Sequence, residues 1–215
     1  MPSSSRSVYN HSRVLITSGP TAVAIDSTRI ITNRSTGAMG RIIARLLSEA
    51  GARVTLLEGA VGACEPLKGV AIKKFFYYHE LQSALEAECG KPYDCVIHAA
   101  AVSDFAPVRL FDKKISSART LSLQLKPTAK LVDTIKTRLP QAILAAFKLA
   151  DNIEQGTAAA TRLMASSRAD LVLINTLTPS YRACIMRADK TLTPLKSSRA
   201  AIAKVLLTEI GRIRK

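Results

Sequence analysis

Tryptophan is absent, and aromatic side chains of every kind make up only 5% of the chain. No aromatic-glycine RNA-binding signature can be assembled from so few. Cysteine occurs four times, at positions 64, 89, 95 and 184, without a CxxC pair, and three histidines stand far apart. Neither residue type shows metal-ligand spacing. Cys95 and Cys184 sit inside apolar runs, where a free thiol behaves as a small hydrophobe. No apolar run approaches the ~18 residues of a bilayer-spanning helix. The first twelve residues, "MPSSSRSVYNHS", lack the apolar centre of a signal peptide. They read as a flexible N-terminus ahead of a single domain over 13–215, in a cytoplasmic protein without a membrane partner.

Acidic residues are also scarce: 16 Asp and Glu stand against 31 Lys and Arg, a formal charge of +15. A field of that sign concentrates anionic ligands. The basic residues are scattered ("KK" at 73 and at 113, "RIRK" at the end) rather than gathered in one tract. The reading therefore favours a small substrate bearing several phosphates over nucleic acid, with much of the excess on a solvated surface.

What the chain does have is alternation. "RVLIT" (13–17), "RVTLL" (53–57), "DCVIHAA" (94–100), "AILAAF" (142–147) and "DLVLIN" (170–175) are short runs rich in Val, Ile and Leu. Such runs suit strands buried on both faces of a parallel sheet. Met39, Ile42, Ile43, Leu46, Leu47 and Ala50 repeat with helical period, and Gly51 stops that helix. A second helix runs through Leu81, Ala84, Leu85 and Cys89 to Gly90. A third follows Pro127, with Thr128 as candidate N-cap, and the last carries Ile202, Val205, Leu206, Ile210 and Ile213. The pattern predicts a doubly wound, mostly parallel, Rossmann-like α/β sheet with helices on both faces. Residues 103–119 read as a long loop, of a length that tends to be functional or mobile. Residues 183–196 read as an antiparallel hairpin turning near "ADK" and covering a sheet edge.

Ligands of such sheets bind beyond the carboxyl ends of the strands. The segment arriving there first, "IDSTRIITNRSTGAMG" (25–40), carries Arg29, Asn33, Ser35 and Thr36 before its glycines, and no G-x-G-x-x-G fingerprint. A helix starting near Gly37 offers free N–H groups and a positive dipole end to phosphate or carboxylate, and Gly37 and Gly40 permit close approach. Ala99, Ala100 and Ala101 can leave room for a flat base or simply pack tightly. Asp104 can meet ribose hydroxyls or cap a turn, and Lys113 and Lys114 can close over phosphates or stay solvated. His98, inside a strand pattern, reads as a core histidine rather than a catalytic one.

At this point the sequence resembles a known family. "GPTAVAIDSTRIITNRSTGAMG" is similar to the nucleotide-binding loop of phosphopantothenoylcysteine synthetases, "AAAVSDFAP" to their second motif, and "KISS" (114–117) to the flap lysine motif of the stand-alone branch. "AAFKLAD" resembles their Phe-Lys-Leu segment and "ADLVLINTL" their late strand ending in asparagine. The resemblance covers roughly residues 13 to 213, without the fused decarboxylase. It departs from the family at Ala38, where a basic or polar residue is common, at Ala24, in "EGAVGACEP", and after Leu149 and Asn175.

The resemblance implies a ligase joining 4′-phosphopantothenate to L-cysteine through an acyl-nucleotide, with CTP rather than ATP as co-substrate and Mg²⁺ accompanying the triphosphate. It implies catalytic roles for Asn33 and Lys114. Nucleotide contacts fall to Gly19, Ser35, Gly37, Gly40, Ala100, Ala101, Asp104, Phe147 and Lys148, and substrate contacts to Arg29 and Asn33. It also implies a homodimer whose sites are completed by the neighbouring subunit. Two rivals remain. An NAD(P)-dependent oxidoreductase would need the missing glycine fingerprint. A non-catalytic nucleotide sensor would need neither Asn33 nor Lys114.

Overall fold

The computed structural model describes residues 8–118, 120–176, 181–195 and 198–214. The expected flexible N-terminus therefore falls largely outside the described residues, as do Arg119, Leu177 and Lys196. In chain order the elements are β1 (Arg13–Ser18), β2 (Ala22–Ala24), β3 (Ile30–Thr32), α1 (Ala38–Glu49), β4 (Arg53–Glu58) and β5 (Val70–Lys74). There follow α2 (Tyr78–Cys89), β6 (Cys95–His98), β7 (Phe105–Pro107), β8 (Leu125–Pro127), α3 (Val132–Arg138) and β9 (Ile143–Leu149). The chain finishes with α4 (Ile153–Ser167), β10 (Leu171–Thr176), β11 (Arg182–Arg187), β12 (Leu192–Leu195) and α5 (Arg199–Ile213).

One eight-stranded sheet runs β12-β11-β10-β9-β6-β1-β4-β5. It is parallel from β10 to β5, and β11 and β12 add to β10 as an antiparallel hairpin. The expected doubly wound architecture and C-terminal hairpin are both present. Lys190, at φ 66°, makes the hairpin's turn. Successive strand residues serve opposite faces, as the period of two requires. Val14, Ile16, Cys95, Ile97, Leu171 and Leu173 pack with α1 and α5, whereas Leu15, Val96, Leu144 and Val172 pack with α2, α3 and α4.

Four features differ from the sequence-based expectation. The third helix begins at Val132 rather than beside Thr128, whose hydroxyl instead donates to the Ser103 carbonyl at 2.6 Å. The long loop is closed partway: β7 and β8 pair antiparallel, and Val108 N–H donates to the Gln124 carbonyl at 2.9 Å. Strand β5 and helix α4 had no clear signal. The first is a largely exposed edge strand, and the second buries small residues, Gly156, Ala160 and Ser167.

The chain crosses from β1 to β4 by α1 on one face and from β6 to β9 by α3 on the other. The crossover direction therefore reverses between β1 and β6, and the carboxyl ends there open as a crevice.

Candidate functional site

A cavity of about 1160 Å³ occupies that crevice. Asn33, Ser35, Gly37, Gly40, Ala100, Ala101, Asp104, Phe147 and Lys148 all line it, so most of the sequence-derived site residues do converge. Gly19, Arg29 and Lys114 are not among its lining residues.

The loop between β3 and α1 is shaped by glycine. Gly37 caps α1 at φ 66°, a conformation that side chains disfavour, and a Cβ there would press within 2.8 Å of Val61. No side chain caps this helix and no acid lies in its first turn, so its positive end faces the cavity uncompensated. The Ser35 and Thr36 hydroxyls reach only the N–H groups of Gly37 and Ala38, at 3.4 Å each, and can turn toward a ligand. Gly40 has a different use from ligand approach: a Cβ on it would overlap the Ser18 side chain, so it lets α1 seat on β1.

Asn33 joins the β2–β3 hairpin to the segment after β6. Its Nδ2 donates to the carbonyls of Ala101 and Val102, both at 3.0 Å. Its Oδ1 has no protein partner among the described residues. Ala101 is fully committed, with its N–H on the Gly19 carbonyl at 2.9 Å and its carbonyl also accepting from Thr21 N–H at 3.2 Å. Gly19 thus acts from behind the cavity wall, at φ 82° and packed on Gly59. The neighbouring Ala100 carbonyl and Val102 N–H have no protein partner among the described residues.

Below them His98 is buried, with Nδ1 2.9 Å from the Thr17 hydroxyl, and burial lowers its pKa from 6.5 to about 4. It is the core histidine expected, although its edge reaches the cavity floor. Asp104 is tied to Lys130 by an ion pair, which leaves its second oxygen for a ligand. Phe147 and Lys148, adjacent on β9, go to opposite faces: Phe147 packs toward the α1–α5 side, and Lys148 belongs to the register of the α3–α4 side.

The residues that the sequence reading missed are cations. Arg34, Lys130, Arg162 and Arg199 join Lys148 around the cavity against only Asp104 and Asp133. Arg199 lies over the Tyr181 ring at 4.6 Å and Asp133 accepts from the Ser166 hydroxyl at 2.8 Å. Arg34, Lys148 and Arg162 have no ion-pair partner among the described residues. Arg162 comes from α4, the helix without a sequence signal.

Arg29 and Lys114 stand elsewhere. Arg29 pairs with the buried Asp26 carboxylate at the tip of the β2–β3 hairpin, and donates to the Ile115 carbonyl at 3.1 Å. The flap lysine therefore sits beside the hairpin tip rather than in its own chain's cavity. Among the described residues no group of three or more His, Cys, Asp or Glu is placed to hold a metal ion, and no helix is long and apolar enough to cross a membrane.

Sheet order, switch-point crevice and cationic lining define an α/β protein with a cavity suited to anions. Residues 9–212 match the family described as the DNA/pantothenate metabolism flavoprotein C-terminal domain, and the chain belongs to it. Over 169 residues it is 38% identical to the coenzyme A biosynthesis bifunctional protein CoaBC of Thermococcus kodakarensis, covering 77% of this chain and 41% of that one. It is 35% identical over 166 residues to the protein of the same name from Bacillus subtilis, covering 75% and 39%. The chain thus spans about two fifths of the length of these relatives. The crystal structure of the DNA/pantothenate metabolism flavoprotein from Streptococcus pneumoniae superposes with a TM-score of 0.84 at 28% identity, covering 94% of this chain and 99% of that one. The resemblance read from the motifs is borne out at the level of the family and the fold.

Proposed function

We propose that this chain is a phosphopantothenate–cysteine ligase of the cytoplasm, acting as one synthetase domain over residues 13–215. The substrate carboxylate attacks the α-phosphate of CTP, forming an acyl-cytidylate and releasing pyrophosphate. The cysteine amine then attacks the acyl carbon and CMP leaves. The observation that carries the reading is the chemistry of the crevice: an uncapped helix start, Asn33 and a ring of cations converge there, with no nucleophile–base pair among them. Such a site suits a reaction in which positioning and charge stabilisation dominate.

The exposed pair formed by the Ala100 carbonyl and Val102 N–H supports an amino-bearing base. A carbonyl can accept from the exocyclic amine while the N–H donates to the adjacent ring nitrogen, a pattern offered by cytosine and adenine and reversed in uracil. CTP is our choice between the two. Asp104 serves the ribose, and Lys148, Arg162 and the α1 start serve the phosphates. Mg²⁺ fits as a companion of the triphosphate, held mainly by phosphate oxygens, since the lining donors are chiefly cations, amides and hydroxyls.

Two observations support a homodimer. Ile30, Phe105, Val108, Leu110 and Leu125 leave an exposed apolar face on the β2–β3 and β7–β8 arms, of the kind a second copy covers. Arg29 and Lys114 lie at the hairpin tip, where they can complete a neighbour's cavity more readily than their own. The test is pyrophosphate release from 4′-phosphopantothenate, Mg²⁺ and each nucleoside triphosphate, with and without L-cysteine. Release that requires phosphopantothenate and is sustained by cysteine supports the ligase. Faster turnover with ATP than CTP overturns the nucleotide choice, and no release from folded protein overturns the activity in favour of a nucleotide sensor.

A further inference from the structure

The segment that carries the flap lysine is fastened to the β2–β3 hairpin around a buried carboxylate. The Asp26 side chain is fully enclosed. It accepts from Thr28 N–H at 2.8 Å, the Thr28 hydroxyl at 3.0 Å, Arg29 N–H at 2.8 Å and the Arg29 guanidinium at 2.5 Å. These four bonds are local and shape the hairpin tip. A fifth reaches across 89 positions, to Ile115 N–H at 3.0 Å. Arg29 returns to the Ile115 carbonyl at 3.1 Å, so both backbone groups of the residue after Lys114 are held. Phe111 N–H donates to the Ile25 carbonyl at 3.1 Å and fastens the other end of the segment.

We propose that Asp26 is a positioning residue: through Ile115 and Arg29 it latches residues 111–115 to the hairpin tip and thereby fixes where Lys114 presents its ammonium. The inference rests on the ligase reading for what Lys114 does, while the latch itself stands on geometry. The bond from Ile115 N–H is the foremost cause holding the Asp26 carboxyl well below the usual carboxylate range, so the latch keeps its charge at neutral pH. An amide at position 26 cannot serve as well. Its NH₂ would meet the N–H of Ile115 or the guanidinium, donor against donor, and the charge that Arg29 pairs with would be gone.

The experiment compares wild type, D26N, K114A and D26N/K114A. Trypsin cleavage after Lys113 and Lys114 is expected to rise several-fold in D26N. The kcat of cysteine-dependent turnover is expected to fall about 10- to 100-fold, as for a misplaced catalytic group, while the nucleotide KM stays nearly unchanged. In the K114A background D26N should cost nothing more. A D26N protein cleaved and turning over like wild type overturns the latch, and so does a full additional loss in the double variant. Should D26N fail to fold, amide exchange on the wild type decides: the Ile115 N–H is protected if the latch exists, and its exchange at the open-loop rate overturns it. Cleavage and exchange need no turnover. A wild type without ligase activity would therefore remove the function reading while leaving the latch to be judged on those two measurements.

Discussion

The Asn33 side chain donates to the Ala101 carbonyl at 3.0 Å, and with the same nitrogen to the carbonyl of Val102. An amide is the group for this position because its NH₂ carries two donors and no charge. The bond ties the loop that ends at the α1 start to the segment whose Ala100 carbonyl and Val102 N–H have no protein partner among the described residues. Asn33 therefore links the two halves of the cavity, and its Oδ1, without a protein partner among the described residues, is the atom that the proposed site leaves for a ligand.

Replacing Asn33 with Asp should cost both activity and local order. A carboxylate would lie against two carbonyl oxygens, a loss of about 1–3 kcal/mol in the hairpin's attachment, and its charge would oppose the acyl-phosphate junction. The expected outcome is a fall in pyrophosphate release of about 100-fold or more, in a protein whose circular dichroism remains that of the wild type. Wild-type turnover by N33D would remove Asn33 from the site.

Arg162 offers a cleaner test of the cationic lining, since no ion pair among the described residues holds it and its substitution leaves no such partner stranded. R162A is expected to raise the nucleotide KM about tenfold or more, the worth of one charge-assisted hydrogen bond, with unfolding stability within about 0.5 kcal/mol of wild type. R162K should recover part of the loss. An unchanged KM would place the phosphates elsewhere in the cavity.

Much of this architecture was legible in the sequence because buried parallel strands announce themselves. Leu171–Ile174 is apolar on both faces, and Ile42, Ile43, Leu46 and Leu47 trace one helix face. The cavity wall from Asn33 to Gly40 was legible as a motif. Strand β5 was not, because an edge strand buries so little that Lys73 and Lys74 end it. Helix α4 was not, because Gly156 and Ala160 fit under it without an apolar stripe, and Arg162 was hidden with it. The partner that Arg29 meets in its own chain was not legible, because local sequence shows its charge but not what it pairs with. Asp26, three residues earlier, meets it first. Thr128 had the chemistry of a helix cap, yet a tertiary partner, the Ser103 carbonyl, took its hydroxyl.

Gly40 should tolerate nothing larger. A methyl group there overlaps Ser18, whose hydroxyl donates to the Gly37 carbonyl at 2.9 Å and so holds the start of α1. G40A is expected to destabilise the protein by about 1–3 kcal/mol, the cost of overpacking a close helix–strand contact, as read by urea denaturation. Nucleotide affinity should fall with it, because the displaced element is the helix end that meets the phosphates. A G40A protein as stable as wild type would show that α1 can lift from β1 without cost.

His98 gives the stability a pH dependence whose sign follows from its burial. Desolvation holds the folded imidazole down to about 4, whereas the unfolded chain titrates near the ordinary 6.5. Between those values the unfolded state binds a proton that the folded state does not. Stability is therefore full above pH 6.5 and is lost as pH falls toward 4, by up to about 1.4 kcal/mol per pH unit. Asp26 and Glu88, whose folded pKa values are lowered, add their losses below the ordinary carboxylate range, at lower pH than His98 begins to act. Urea midpoints measured at pH 7, 6 and 5 should decline for the wild type and stay nearly level for H98N, which keeps a polar partner for Thr17 without a titrating ring. Equal slopes for the two proteins would mean that His98 takes up its proton in the fold as readily as in the unfolded chain. Below its ordinary pKa it would then place a positive charge under the cavity at Ala100, where a neutral imidazole places none.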